Sequence, residues 1–413
     1  MKFLILTQYF LPETGAPQNR LFQLARRLQQ RGAKVTILTA MPNYPQMRIY
    51  DGYRGKFYKH EYIDGLPVHR CWIYAGTSKA ILPRLINYFS FVKSSFLVGL
   101  FMLKKQDYIF CESPPLFLGI TAYLLAKLKG ARLIFNVSDL WPESAEKLGL
   151  VTNRFLLRIS ILLEEFLYRK AFLITGQTQG IVANISGRFP RKTVYWLRNG
   201  ADLRDLTTNP GDQGWRKSEN FRQTDFLLLY AGIIGHAQGL EVILQAARQL
   251  RERSEIKFII MGSGPVKDKL IRMKEEMKLE NLFFMNNRPK NEVITVICEI
   301  DAAIIPLRKI DLFRGAIPSK IFENLALRKP ILLGVEGEAK ELIIDQGHAG
   351  LAFVPEDAAD LVKKIRILAD QPELTKVLGN NGYDYLCREF DLDIIADGFW
   401  KLLNAIPDAK TNS

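Results

Sequence analysis

A chain of 413 residues, 48% of them hydrophobic, is long enough for two or three domains at about 150 residues each and can fill their cores, which excludes a disordered protein. The formal charge of +14 implies an acidic partner, and with no aromatic RNP run in sight, nucleic acid ranks below anionic lipid and phosphorylated ligands. Cys71, Cys111, Cys298 and Cys387 form no CxxC pair, so neither a metal knuckle nor a disulfide framework is suggested and a reduced, cytosolic setting is expected.

Residues 3–7 read as a buried strand rather than a signal peptide, because the apolar start runs into Pro12-Glu13 without a small-residue cleavage site. The loop Pro12 to Pro17 follows, then a helix with Leu21, Leu24, Ala25 and Leu28 on one face ending at Gly32, then a strand from Lys34 to Thr39. This is a βαβ unit, which favours a parallel sheet with a ligand crevice at its strand ends. Gly15 lets the backbone approach a phosphate or acceptor closely, or serves only a turn.

Residues 83–103 are aromatic and apolar, close to the roughly 20 residues that span a bilayer. Lys93 lies at the middle, where a charge costs about 2.5 to 3.5 kcal/mol, so the expectation is one or two helices lying against or dipping into a membrane interface; a helix covering a sheet is the alternative. Flanking cations include Lys79, Arg84, Lys104 and Lys105, and a second basic and apolar stretch, Arg154 to Leu163, is expected on the same face. Tyr108 to Cys111 and Arg132 to Val137 read as strands, the second ending at Ser138-Asp139-Leu140-Trp141-Pro142-Glu143-Ser144. A carboxylate directly after a buried strand is where α/β enzymes place chemistry, and equally how a helix is capped. Phe172 to Thr175 and Thr193 to Leu197 are the last strands before a junction near Asn199; the polar stretch 207–220 is an early loop of the second half.

The alternation restarts with Phe226 to Ala231 and the loop Gly232-Ile233-Ile234-Gly235-His236-Ala237-Gln238-Gly239, which opens a helix and can cradle phosphate oxygens with backbone N–H groups. Another strand and glycine turn runs from Phe258 through Gly262 and Gly264 to Pro265. At Ile317-Pro318-Ser319-Lys320 a loop turns into a helix: the Ser319 hydroxyl can cap a free N–H, and Lys320 and Glu323 share one face. A lysine at a helix start suits a diphosphate and a carboxylate one turn deeper suits sugar hydroxyls; the alternative is a solvated pair worth about 0.3 to 0.5 kcal/mol. Pro330 to Gly334 is a strand, and a final helix runs over about Leu392 to Ala405. Asp391-Leu392-Asp393 spells a metal-binding DxD but sits at a helix start, and His60, His69, His236 and His348 are not at metal-ligand spacing.

The segments Asp139 to Ser144 and Pro318 to Leu333, with the Gly15 loop, Asn199-Gly200-Ala201-Asp202, the Gly232 loop and Phe258 to Pro265, resemble glycosyltransferase family four, retaining enzymes of the GT-B fold, from end to end. The resemblance implies an α/β protein of two Rossmann-like doubly wound domains facing a cleft. Residues 1–199 would form the acceptor side, with the C-terminal helix of 390–413 packed back on it, and 200–389 the nucleotide-sugar-binding domain. It implies a metal-independent enzyme with a UDP-sugar as donor, bound by Gly232, Gly235, Gln238, Gly264, Arg308, Ser319, Lys320 and Glu323, the last on the ribose. Asp139 becomes the catalytic candidate with Glu143 behind it, and Gly15 belongs to the acceptor and diphosphate loop. Where the family carries a second glutamate, an arginine, a lysine and a histidine, this chain has Gly315, Ile233, Gln238 and Ser138; Lys320, Arg308, Lys309 and Arg314 are candidates to supply the missing charge.

The spellings Asp-Leu-Trp-Pro-Glu-Ser and Pro-Ser-Lys-Ile-Phe-Glu resemble a bacterial O-antigen and capsule branch that includes L-fucosamine transferases. The expected activity is therefore transfer of a sugar, with N-acetyl-L-fucosamine as a candidate, to a polyprenyl-diphosphate-linked saccharide. The expected location is cytoplasmic, peripheral or monotopic on the inner face of the cell membrane, with no nucleic-acid partner. A UDP-sugar epimerase of the same fold and a non-catalytic nucleotide-sugar-binding subunit are the alternatives.

Overall fold

The computed structural model describes residues 1–13, 15–76, 81–147, 153–206 and 214–405. Thr14 of the first loop, Lys79, residues 207–213 of the polar stretch and the tail 406–413 lie outside them. The chain divides into two compact units, Met1–Asn199 together with the helix from Ile395, and Gly200–Ile394.

The first unit runs β1 (Lys2–Leu6), α1 (Ala16–Gln30), β2 (Lys34–Ala40), β3 (Tyr58–Ile63), β4 (Leu66–Cys71), α2 (Ile81–Met102), β5 (Tyr108–Ser113), α3 (Leu118–Lys129), β6 (Arg132–Val137), α4 (Glu143–Lys147), α5 (Arg154–Lys170), β7 (Leu173–Gly176), α6 (Gln179–Arg188) and β8 (Val194–Trp196). Its sheet has the order β3-β4-β2-β1-β5-β6-β7-β8 and is parallel except for the β3–β4 pair. Alternation along the strands divides the core. Leu4, Leu6, Ile109, Cys111 and Phe135 pack beneath α2, α3, α5 and α6, while Phe3 and Phe110 meet Phe399 on the opposite face. The chain order reverses between β1 and β5, and in open α/β sheets the crevice at the carboxyl ends of such strands is where ligands bind.

One feature departs from expectation. Residues 83–102 lie in the one helix α2, within the one or two helices expected there, whereas β3–β4 is a hairpin that hydrophobic alternation did not announce, because Lys59, His60, Glu61, His69 and Arg70 fill it. The available signal was Asp64-Gly65, whose backbone is left-handed at both residues, as a tight hairpin turn requires. The pairing also sets His60 opposite His69 with ring centroids 4.6 Å apart, which sequence spacing hid. Among the described residues no group of three or more His, Cys, Asp or Glu could hold a metal ion.

The second unit runs α7 (Leu203–Leu206), α8 (Trp215–Ser218), β9 (Phe226–Ala231), α9 (Glu241–Gln249), β10 (Ile256–Met261), α10 (Lys267–Glu276), β11 (Leu282–Met285), α11 (Lys290–Glu299), β12 (Ala302–Pro306), α12 (Lys320–Ala326), β13 (Ile331–Gly334), α13 (Glu338–Lys340), β14 (Gly350–Ala352), α14 (Ala358–Asp370) and α15 (Pro372–Tyr385). The last helix, α16 (Leu392–Ala405), carries the chain back into the first unit. The sheet order β11-β10-β9-β12-β13-β14 is wholly parallel, with near-continuous apolar strands as burial on both faces demands.

Two glycine turns at the ends of β9 and β10 are stitched together. Gly232 donates to the Met261 carbonyl at 2.9 Å, and Ile234 to Ser263 at 2.9 Å. Gly262, at φ +148°, lies so close that an added Cβ would sit 1.9 Å from the Gly232 oxygen, and one on Gly264 would sit 2.3 Å from that of Ile234. Any side chain at 262 must push the loops apart while adopting a backbone that only glycine takes easily. Gly262→Ala is therefore expected to destabilise the second unit by about 3 kcal/mol or more in denaturant unfolding; an unchanged midpoint would contradict this close packing.

Candidate active site

In the second unit the end of β9, the glycine loop and the start of α12 converge on Lys320. Its ammonium lies 3.9 Å from the centroid of the Tyr230 ring, whose hydroxyl donates to the Ile233 carbonyl at 2.5 Å. A Cβ at Gly232 would be 2.9 Å from Lys320 Nζ, so the loop glycine is what lets this cation in. Burial lowers the Lys320 pKa to about 7, and the Glu323 carboxylate one turn along offsets only part of the shift. Burial in turn raises the pKa of Glu323, against the pull of Lys290 and Lys320. The pair is thus a desolvated cation and a desolvated carboxylate on one helix face, the opposite of a solvated surface pair.

Ser319 does not cap α12: its backbone is already helical at φ −60°, ψ −27°, and its exposed hydroxyl makes no capping bond. The first turn is closed by Ile321 N–H to the Pro318 carbonyl at 3.1 Å and Phe322 N–H to that of Ser319 at 3.2 Å.

Arg308 braces the glycine loop. Its Nε donates to the His236 carbonyl at 2.6 Å, while its other nitrogens lie 3.4 Å from Glu241 and from Glu356. Gln238, expected on the donor, uses its side-chain oxygen to accept the Gly235 N–H at 3.1 Å. Lys309 pairs with Glu336 at 3.6 Å. Among the described residues, Lys320 and the exposed Arg314 have no carboxylate within ion-pairing distance, so of the four candidate cations Lys320 is the half-buried one with no ion pair. Gly315 faces open space, with nothing within 4 Å of an added Cβ. Gly264 serves the stitch between loops described above.

In the first unit, Gly15 is extended and precedes α1, with an added Cβ falling 2.4 Å from Gln18 Oε1. Beside it the buried Glu13 clasps three backbone N–H groups, those of Phe10 at 3.1 Å, Asn43 at 2.7 Å and Tyr44 at 2.8 Å. Burial raises its pKa while these bonds and Arg70 hold the shift in check. Asp139 is exposed just past β6 and accepts the Ser144 hydroxyl at 2.7 Å, which ties it to the first turn of α4; Glu143 is exposed at the start of that helix.

Sequence reasoning missed a polar cluster at the carboxyl ends of β5, β6 and β7. Arg20 of α1 donates to Glu112 at 2.6 Å and to the Ser138 hydroxyl at 3.1 Å, and Ser138 donates to Glu112. Asn136 donates to the second Glu112 oxygen at 2.7 Å, and Gln177, with its amide oxygen turned inward, accepts from Arg20 Nε at 2.8 Å. Glu112 was readable as a charge ending an apolar strand; Arg20 carried no local signal. Because this pair is buried, Glu112→Leu is expected to cost about 3 to 5 kcal/mol, and Arg20→Met in the same chain to recover much of it. Additive losses in a double-mutant cycle would show the two are uncoupled.

A recess of about 430 Å³ opens elsewhere in the second unit, by Phe226, Asp301 and Pro330 at the amino ends of the strands. Its Arg253 is engaged by Glu255 at 2.5 Å and Asp370 at 2.8 Å, and the end is the wrong one for α/β ligand binding.

Comparison with known proteins fits this geometry. Residues 15–200 match the model for a Glycosyl transferase 4-like domain, and residues 212–385 that for Glycosyl transferases group 1. A protein of Escherichia coli strain K12 named for colanic acid biosynthesis glycosyl transfer, WcaI, is 26% identical over 375 residues, covering 89% of this chain and 91% of that one. The Escherichia coli O-antigen chain mannosyltransferase C is 23% identical over 199 residues, 48% of this chain and 50% of its own. Among solved structures, Anabaena HepE in complex with UDP-glucose superposes with a TM-score of 0.71 at 16% identity, covering 98% of this chain and all of that one. Sucrose-phosphate synthase of Thermosynechococcus elongatus does so with a TM-score of 0.75 at 14% identity and 98% coverage of each chain. The chain has the GT-B fold and is a glycosyltransferase. Its two halves match these two glycosyltransferase domain models in turn.

Proposed function

We propose that this glycosyltransferase moves a sugar from a UDP-sugar to a polyprenyl-diphosphate-linked saccharide in surface-polysaccharide assembly, at the cytoplasmic face of the cell membrane and without a metal. The observation that carries the donor assignment is the desolvated Lys320 and Glu323 pair beside the Gly232 loop. An ammonium that has shed most of its water without gaining an acceptor is poised for an anion, and breaking the bond from anomeric carbon to phosphate leaves a diphosphate whose charge must be held. Lys320 supplies that cation, Glu323 takes ribose hydroxyls, and the Gly232 and Gly235 turn brings backbone N–H groups to the phosphates. Asp139, exposed at a strand end with Glu143 one turn on, orients or deprotonates the acceptor hydroxyl. Support for the acceptor comes from relatives named for colanic acid and O-antigen synthesis, and for the donor from HepE, solved with UDP-glucose. The Asp139 to Ser144 and Pro318 to Glu323 motifs favour N-acetyl-L-fucosamine as the sugar.

Lys320 gives the donor site a pH signature. A diphosphate favours the charged ammonium, so the bound pKa rises above the free value of about 7 and binding takes up a proton. UDP affinity is then expected to fall by up to about tenfold per pH unit between pH 7 and 9, and Lys320→Arg to bind with a flat profile over that window. Titration calorimetry checks this; a flat wild-type profile contradicts it. Lys320→Met is expected to lose UDP binding yet stabilise the free protein by about 1 to 3 kcal/mol, since it removes a cation buried at a cost. Transfer to a lipid-diphosphate acceptor is expected to persist in EDTA, and release of free sugar or epimerised UDP-sugar as sole product would refute the acceptor assignment.

A further inference from the structure

Helix α5 is apolar on two sides. Its inward side buries Leu167 and Tyr168 in the core together with Ser160 and Glu164, the latter held by Arg188 at 2.8 Å, whereas its outward side shows Phe155, Ile159, Leu162 and Phe166 in one stripe of helical spacing. Phe155 is 74% and Leu162 58% exposed. The stripe does not stand alone. The Tyr123 ring of α3 meets Phe166 at 5.0 Å, and Ser95 and Gly99 of α2 pack on Thr121 and Leu125 of α3, so the three helices form one layer over the sheet. On that layer α3 exposes Leu128 at 60% and α2 exposes Phe101 at 73%, on a line with Leu97 and Phe89. An apolar surface continuous over three neighbouring helices is beyond what scattered surface residues produce.

The charges select the occupant. Residues 81–106 and 118–130 contain no Asp or Glu, while Lys93, Lys104, Lys105 and Lys127 are exposed; α5 adds Arg154 and Arg158. Its two glutamates are already taken, Glu164 by Arg188 and Glu165 by Arg169 at 2.6 Å. A second copy of the chain would bring like charges face to face, whereas a lipid surface with anionic headgroups answers both the apolar stripes and their cations. The inner side of α2 is held to the domain by Asn87, which accepts from Gln8 at 2.9 Å, and by Ser95 against Thr121, so the stripe on its other side is the one that meets lipid.

We propose that α2, α3 and α5 form a monotopic docking face that lies flat on an anionic bilayer, with Phe101, Leu128, Phe155 and Leu162 entering the interface. This deepens, and rests on, the membrane-linked acceptor reading by assigning the surface that brings the enzyme to its substrate. The test is co-sedimentation of the full chain with phosphatidylglycerol/phosphatidylethanolamine vesicles and with phosphatidylcholine vesicles, for wild type, the double variant Ile159→Asp with Leu162→Asp, and Arg154→Glu with Arg158→Glu. Expected are binding of wild type to the anionic vesicles, weaker binding to phosphatidylcholine, and a loss of at least about tenfold in both variants, with unchanged melting temperature and unchanged UDP affinity measured without lipid. Wild type left in the supernatant with anionic vesicles overturns the proposal, as does a double variant that sediments like wild type, or a solution dimer that the double variant breaks while no form binds vesicles. Loss of UDP binding with sedimentation intact would sink the donor reading and leave the docking face standing.

Discussion

The arrangement turns on one unfavourable choice, a partly desolvated lysine ammonium with no described carboxylate within ion-pairing distance and only Glu323, one turn along, to offset part of the cost. Lys320 rests against the Tyr230 ring at 3.9 Å, beside a glycine loop that has no side chain to exclude it. A cation in such a place costs stability unless an anion arrives. The surrounding structure exists in a form that keeps it there: the ring is pinned by the Tyr230 hydroxyl to the Ile233 carbonyl, and the loop is pinned to its neighbour through Gly262 and Gly264. Arg308 shows the contrast, since a cation only a few residues earlier in the chain is spent on Glu241, Glu356 and a loop carbonyl. One charge is spent on the loop and the other is left without an ion pair among the described residues.

The first unit solves a different problem with the same topology. At its switch point, buried carboxylates are satisfied internally: Glu13 by three backbone N–H groups, Glu112 by Arg20, Asn136 and Ser138. Those networks fix the loops after β1 and β6 and leave Asp139 exposed at the end of the latter.

Much of the fold was legible because runs such as Phe3 to Leu6, Phe226 to Ala231 and Phe258 to Met261 are unbroken apolar strands separated by glycine turns and helical periodicity, a pattern only a parallel α/β sheet satisfies. The β3–β4 hairpin was not, because a half-exposed pair of polar strands has no apolar period, and the adjacency of His60 and His69 exists only once the strands pair. At the candidate site, the common face of Lys320 and Glu323 follows from three-residue spacing, but their desolvation depends on Tyr230 and Gly232, far away in sequence. Arg20 meeting Glu112, Gln238 folding onto Gly235, and the helical backbone that denies Ser319 a capping role are likewise products of tertiary packing and backbone angles that no local pattern encodes. The apolar stretches 83–103 and 154–163 could be read as such, whereas the second apolar side of α5, with Phe155 and Leu162 outside while Leu167 and Tyr168 fill the core, needed the packed structure.

The central claim concerns the protonation of a single amine, and it can be observed directly. NMR of ¹³C-methylated lysines, with Lys320 assigned through Lys320→Arg, follows its titration in the free protein and with UDP bound. The account predicts a midpoint near 7 in the free protein that climbs by at least about two units on saturation with UDP. A Lys320 that titrates near the ordinary lysine value in the free protein, and does not move when UDP is added, would contradict it.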